Sequence, residues 1–191
     1  MRQARGDARF SSIPRRRGCE PWHKCRVNPP HGADDEREAT LVDLGFQTAF
    51  KAAHRMLRAY WSVRRPHTRG ALVALWNAGE LLMVKNSYRR EYTLPGGYVK
   101  AGESVAEAAA RELAEECEIR VDPASIKTAY VGVHRYENRI DDVTIVEVTV
   151  ERRPRLAVDH REVVWAGFKT KAEALALPIV PHLREYLDAR P

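Results

Sequence analysis

Glu112, Glu115 and Glu116 stand at positions i, i+3 and i+4. On a helix, at about 100° per residue, they span about a third of the circumference, so three carboxylates share one face. Ala106, Ala109, Ala110, Leu113 and Cys117 hold the adjacent face and are expected to bury against a sheet. The carboxylates then lie beside the buried stripe, at a groove edge, where desolvation aggravates their repulsion. A hard divalent cation relieves that conflict. Mg2+, or alternatively Mn2+, takes carboxylate oxygens, keeps waters and accepts phosphate oxygens from a substrate. The plainer alternative is a solvated acidic face.

Neighbouring residues favour the metal reading. Gly96-Gly97 lets backbone approach a ligand closely and can offer a carbonyl oxygen. Glu103 stands just before the helix and can hydrogen-bond within the same site. Arg111 is spaced i, i+4 from both Glu107 and Glu115, so these side chains can hold one another in place. Asp141, Asp142 and Glu162 are further acidic candidates, each also readable as a solvated loop residue. Arg89, Arg90 and Arg135 are candidates for phosphate binding, because a guanidinium meets phosphate oxygens in pairs. Tyr92 or Tyr136 can stack a base. Surface charge and aromatic core are the alternatives for these five.

The elements that position these groups follow from local pattern. Ser104 and Glu107 form a capping box, predicting a helix over 104–117. Residues 69–76 and 81–85 read as strands around the turn Asn77-Ala78-Gly79-Glu80. Residues 94–97 read as a break. Residues 126–136, 143–151 and 163–168 are strand-like, rich in Val, Ile, Thr and Tyr. Thr170 with Glu173 starts a short helix, and a last helix covers 179–187. Strands and helices do not alternate strictly, so the class is mixed α/β, a mixed sheet with helices on its faces. Upstream, Phe46, Phe50, Ala53, Leu57 and Trp61 recur at helical steps, and Pro66 closes the element. It is expected to be an amphipathic appendage over 41–66 whose apolar stripe packs on the main domain.

The run Gly97-x5-Glu103-x7-Arg111-Glu112-Leu113-x-Glu115-Glu116-x-x-Ile119 resembles the Nudix box of the Nudix hydrolases. Six fixed residues and both apolar positions match. At background frequencies such a match arises on the order of once in ten million windows. The resemblance covers residues 67–191 and implies the Nudix α/β/α sandwich. It implies hydrolysis of a nucleoside diphosphate linked to another group. It also implies that Gly97, Glu112, Glu115 and Glu116 hold Mg2+, that Glu103 and Arg111 support the site, and that Glu116 is the first choice of general base. One position departs. Glu118 replaces the motif's second Gly at the helix C-terminus, where a left-handed residue is favoured, at a cost of about 1 kcal/mol.

Charge sharpens the alternatives. The chain of 191 residues carries +6. Residues 1–40 hold +3, residues 41–66 hold +4 and residues 67–191 hold −1. The basicity therefore describes the first third, not the catalytic region. Two other classes stay open: an RNA-directed pyrophosphohydrolase recruited by the basic N-terminal segment, and a nucleotide-sensing module that does not cleave. The partner is expected to be a small nucleotide-type molecule, with the oligomeric state open and a homodimer among the options. Residues 1–40, rich in Arg and Pro, read as an irregular, disordered leader. Cys19, His23, Cys25 and His31 lie close together there, but the spacing is not a recognised zinc pattern. Three cysteines make no disulfide framework, and the longest apolar run, 71–76, is far too short for a membrane span. Both point to a reduced, cytoplasmic protein.

Overall fold

In a computed structural model of the chain, the described residues are 38–136 and 138–191. Most of the leader, with its Cys and His residues, lies outside them.

The turn Ala78-Gly79 joins two antiparallel strands, β1 (His67–Asn77) and β2 (Glu80–Asn86), as expected. Alternation along β1 sends Val73 and Leu75 to one core cluster, and Ala74 and Trp76 to another. The sheet therefore buries both faces. Helix α2 (Val105–Cys117) covers the first, with Ala108, Ala109, Leu113 and Cys117 fully buried. Helices α3 (Lys171–Ala176) and α4 (Pro181–Ala189) cover the second through Ala174, Leu183, Tyr186 and Leu187. This is the predicted three-layer α/β/α sandwich. Strands β3 (Gly96–Tyr98), β4 (Lys127–Tyr136), β5 (Arg139–Thr149) and β6 (Val163–Thr170) complete a mixed sheet in the order β4-β5-β1-β2-β6. β5 runs parallel to β1, and β3 pairs with the first half of β1.

Two strand expectations need correction. Residues 96–98 pair with β1 at Gly70, Ala71 and Leu72, where the sequence reads as a break. Gly96 makes the close approach possible: its φ is 149°, and a Cβ there would lie 2.3 Å from the Ala71 carbonyl oxygen. Strand β5 begins at Arg139, four residues before the apolar run suggests. Asp141 is buried within it because Arg139 and Thr68 satisfy its carboxylate.

Helix α1 (Leu41–Arg64) begins earlier than its apolar pattern, at a capping box between Thr40 and Asp43. The expectation that its stripe packs on the domain holds only for a narrow seam. Asp43, Gln47, Phe50, His54, Leu57 and Trp61 follow steps of four and three and face the domain. Met56, Tyr60 and Val63 lie off that seam and stay exposed. Two contacts per seven residues bury a thinner strip than a core helix does.

Glu118 caps α2 in the left-handed conformation, at φ 57° and ψ 22°, with its N–H bonded to the Leu113 carbonyl. The expected strain is therefore present at a non-glycine residue. Glu118→Gly should raise the unfolding free energy by about 1 kcal/mol. Denaturant titration checks this, and a loss of stability would contradict it.

Candidate functional site

The capping box holds the start of α2 through reciprocal bonds between Ser104 and Glu107. Glu107 is therefore spent on the helix end and does not pair with Arg111, contrary to the i, i+4 expectation. Arg111 turns instead toward the loop before the helix. Its Nε and Nη2 donate to the two oxygens of Glu103 at 2.9 and 3.1 Å. Nη2 also donates to the Tyr98 carbonyl at 3.1 Å. Nη1 donates to Glu112 at 2.7 Å and to Glu115 at 3.3 Å. One guanidinium thus fixes three carboxylates and the end of β3. The Arg111 bonds, with the Lys100 N–H, hold the Glu103 carboxyl down at about 2.

The paired strands β1 and β3 bring Gly97 against α2. A Cβ on Gly97 would lie 2.4 Å from Glu112 Oε1, so the helix carboxylate occupies the space a side chain would need. Beside it, Glu116 Oε2 accepts the Gly96 N–H at 2.8 Å. Burial pushes the Glu116 carboxyl up to about 8, and the nearby charges of Glu112, Glu162 and Asp159 push the same way. Burial also raises Glu162, despite the hydrogen bond that Tyr88 Oη donates to it at 3.0 Å. Acidic groups from α2 and from the 159–162 loop therefore face one cleft of about 630 Å3. Arg89 and Arg139 bring positive charge to its lining, and Arg111 stands behind Glu112 and Glu115.

This donor set fits a hard divalent ion. It is all oxygen, and the Glu116 carboxylate is held beside like charge that a cation would neutralise. Among the described residues, no group of three or more His, Cys, Asp or Glu side chains is placed to hold a metal ion as the side chains stand. Arg111 draws Glu112 and Glu115 to itself, leaving an open arrangement of the kind Mg2+ completes with water.

The structure brings Gly97, Glu112, Glu115, Glu116, Arg89 and Glu162 to the cleft wall, with Glu103 and Arg111 beside it. Asp141 also reaches it, through its buried pair with Arg139. Other candidates lie elsewhere. Arg90 and Arg135 are exposed and do not line the cleft. Tyr92 is buried in the core, edge-on to Trp165 at 5.2 Å. Asp142 pairs with His67 at 2.9 Å. The side chain of Tyr136 lies outside the described ones. Tyr88, Asp159, His182 and the α1 residues His54 and Trp61 line the cleft without having been singled out as site residues. Only their convergence in space marks them; none belongs to a spaced motif.

The NUDIX domain family matches this chain over residues 66–189. A comparison with curated proteins finds no match. Among solved structures, the fold resembles a MutT protein from Methanosarcina mazei Go1 at 19% identity and a TM-score of 0.56, covering 66% of this chain and 94% of that one. It also resembles an Ap4A hydrolase of C. elegans at 19% identity and a TM-score of 0.55, with coverage of 63% and 93%. A third likeness is the NUDIX domain of Shewanella oneidensis NrtR complexed with ADP ribose, at 18% identity, a TM-score of 0.56 and coverage of 65% and 86%. The chain belongs to the NUDIX domain family.

Arg111→Lys keeps the charge and removes the fork that holds Glu103, Glu112 and Glu115. Its kcat should fall about 10- to 100-fold with KM little changed, in steady-state kinetics on any substrate the wild type hydrolyses. Wild-type kcat in that variant would contradict the assignment.

Proposed function

We propose that the chain is a Mg2+-dependent pyrophosphohydrolase, with Mn2+ as a substitute, that cleaves the diphosphate of a nucleoside diphosphate linked to another group. The observation that carries this is the cleft in which Glu112, Glu116, Glu162 and Asp159 face one another, beside a Nudix box that departs from the pattern only at Glu118. A sensing module has no need for the full carboxylate set. Two of the similar solved structures support the substrate class, one an Ap4A hydrolase and one complexed with ADP ribose.

Glu112, Glu115, Glu116 and the Gly97 carbonyl would hold the ion. When bound, Mg2+ places positive charge on the phosphoryl oxygens and activates water for attack. The protein's own groups do the rest. Glu116 Oε2 is tied to the Gly96 N–H, which leaves Oε1 to take a proton from the attacking water. Arg111 keeps Glu112 and Glu115 from drifting apart. Arg89 is placed to receive a phosphate oxygen at the cleft wall. In this reading residues 67–191 are the catalytic domain, 41–66 an appendage and 1–40 a leader. Among the described residues no helix is long and apolar enough to cross a membrane, and the sparse cysteines support a cytoplasmic setting.

Glu116→Gln tests the reading. Purified protein is screened for phosphate release from nucleoside triphosphates, sugar nucleotides, dinucleoside polyphosphates and capped RNA. The variant should lose at least about a thousandfold in rate while keeping its circular dichroism spectrum. Undiminished hydrolysis would overturn the assignment.

A further inference from the structure

We propose that helix α1, which precedes the region matched by the family, forms one wall of a subsite for the nucleobase of the substrate. The inference rests on the function proposed above and extends it from the phosphates to the group they carry.

The cleft does not stop at the carboxylates. It continues beneath α1, where Phe50, Leu57 and Trp61 line it together with Leu72 and His182. Such walls suit a flat aromatic ring, which buries both faces against apolar and aromatic surface. The far wall carries a polar reader. His182 is only 5% exposed, and its Nδ1 is buried with no hydrogen-bond partner. A buried polar atom left unpaired is costly, and a turn of the imidazole that opened Nδ1 to the cleft would let a heteroatom of a bound ring satisfy it. Burial pushes the His182 imidazole down to about 4, so it is neutral near pH 7 and suited to an uncharged ring.

The helical wall is fastened at both ends. At its start Asp43 accepts from Arg161 at 3.3 Å, and Gln47 donates to the His160 carbonyl at 2.8 Å. At its end the Trp61 ring lies 4.3 Å from the Arg139 guanidinium. Arg139 is in turn locked to Asp141 at 2.7 and 3.1 Å. Between these ends the His54 ring lies 4.7 Å from Tyr88, tilted by 37°, and the Tyr88 hydroxyl holds Glu162. The aromatic wall and the carboxylate site are thus physically continuous. A pre-positioned wall spends little entropy on ordering when the ring arrives. Helix α1 lies outside residues 66–189, so the preference it imposes does not come from the region matched by the family.

Calorimetry on the full chain with Mg2+ present tests this. The probes are the adenine, guanine, cytosine and uracil nucleoside diphosphates, with inorganic pyrophosphate as the base-free control. Wild type should bind at least one nucleoside diphosphate tenfold or more tightly than pyrophosphate. Phe50→Ala and Leu57→Ala, each on the partly exposed helix, should remove most of that margin and leave pyrophosphate within twofold. Melting curves check that both variants fold. The proposal is overturned if no nucleoside diphosphate exceeds pyrophosphate, or if neither variant narrows the margin. Base-dependent binding that both variants weaken, in a protein with no hydrolysis, would uphold the subsite and sink the catalytic reading instead.

Discussion

Acidic groups from two separate elements share one partly buried cleft, and the rest of the site is arranged around their repulsion. Helix α2 contributes Glu112 and Glu116, while the loop before β6 contributes Asp159 and Glu162. Arg111 offsets part of that repulsion by binding Glu103, Glu112 and Glu115 together. The glycines of β3 do the complementary work. They allow α2 to come so close that Gly97 has room for no side chain and Gly96 lends its N–H to Glu116. The sandwich behind α2 keeps this contact rigid, with Ala108, Ala109, Leu113 and Cys117 sealed in the core. Residual like charge at Glu116 is what a divalent ion would neutralise.

The site was largely legible in the sequence because it is local. Residues 97–119 carry strand, loop and helix in one run, and the spacing alone puts the carboxylates on one face. The capping boxes at Ser104 and Thr170 were readable for the same reason, since each closes over three residues. What escaped was long-range. Glu162 and Asp141 were acidic candidates among several, and only the folded sheet brings them to the cleft. Tyr92 reads as well for a stacking residue as for core, and burial against Trp165 decides it. Gly96–Tyr98 was invisible as a strand because its pairing comes from β1, and glycines carry no strand signal of their own.

Helix α1 shows a different limit. Its periodicity was plain, yet periodicity does not say how wide a face a partner covers. The helix rests on the domain along one seam and leaves Met56, Tyr60 and Val63 in solvent. That seam lies over the cleft, so the basic segment contributes aromatic surface where its charge first suggested a polyanion. The helix's own basic residues, Lys51, Arg55, Arg58 and Arg64, are exposed to solvent.

The Glu116 carboxylate is held in a destabilised state that a divalent ion would relieve. Its folded pKa lies above the ordinary 4.5, at about 8. Its contribution to stability is then fully present below the unfolded value and lost as pH rises through the folded one. Thermal unfolding of wild type and Glu116→Gln at pH 5 and pH 8, with and without Mg2+, reads this directly. Between pH 5 and pH 8 in metal-free buffer, wild type should lose several degrees relative to the variant. Mg2+ should restore them at pH 8 in wild type alone. The same pH dependence in both proteins, with melting indifferent to Mg2+, would contradict a destabilised Glu116 carboxylate.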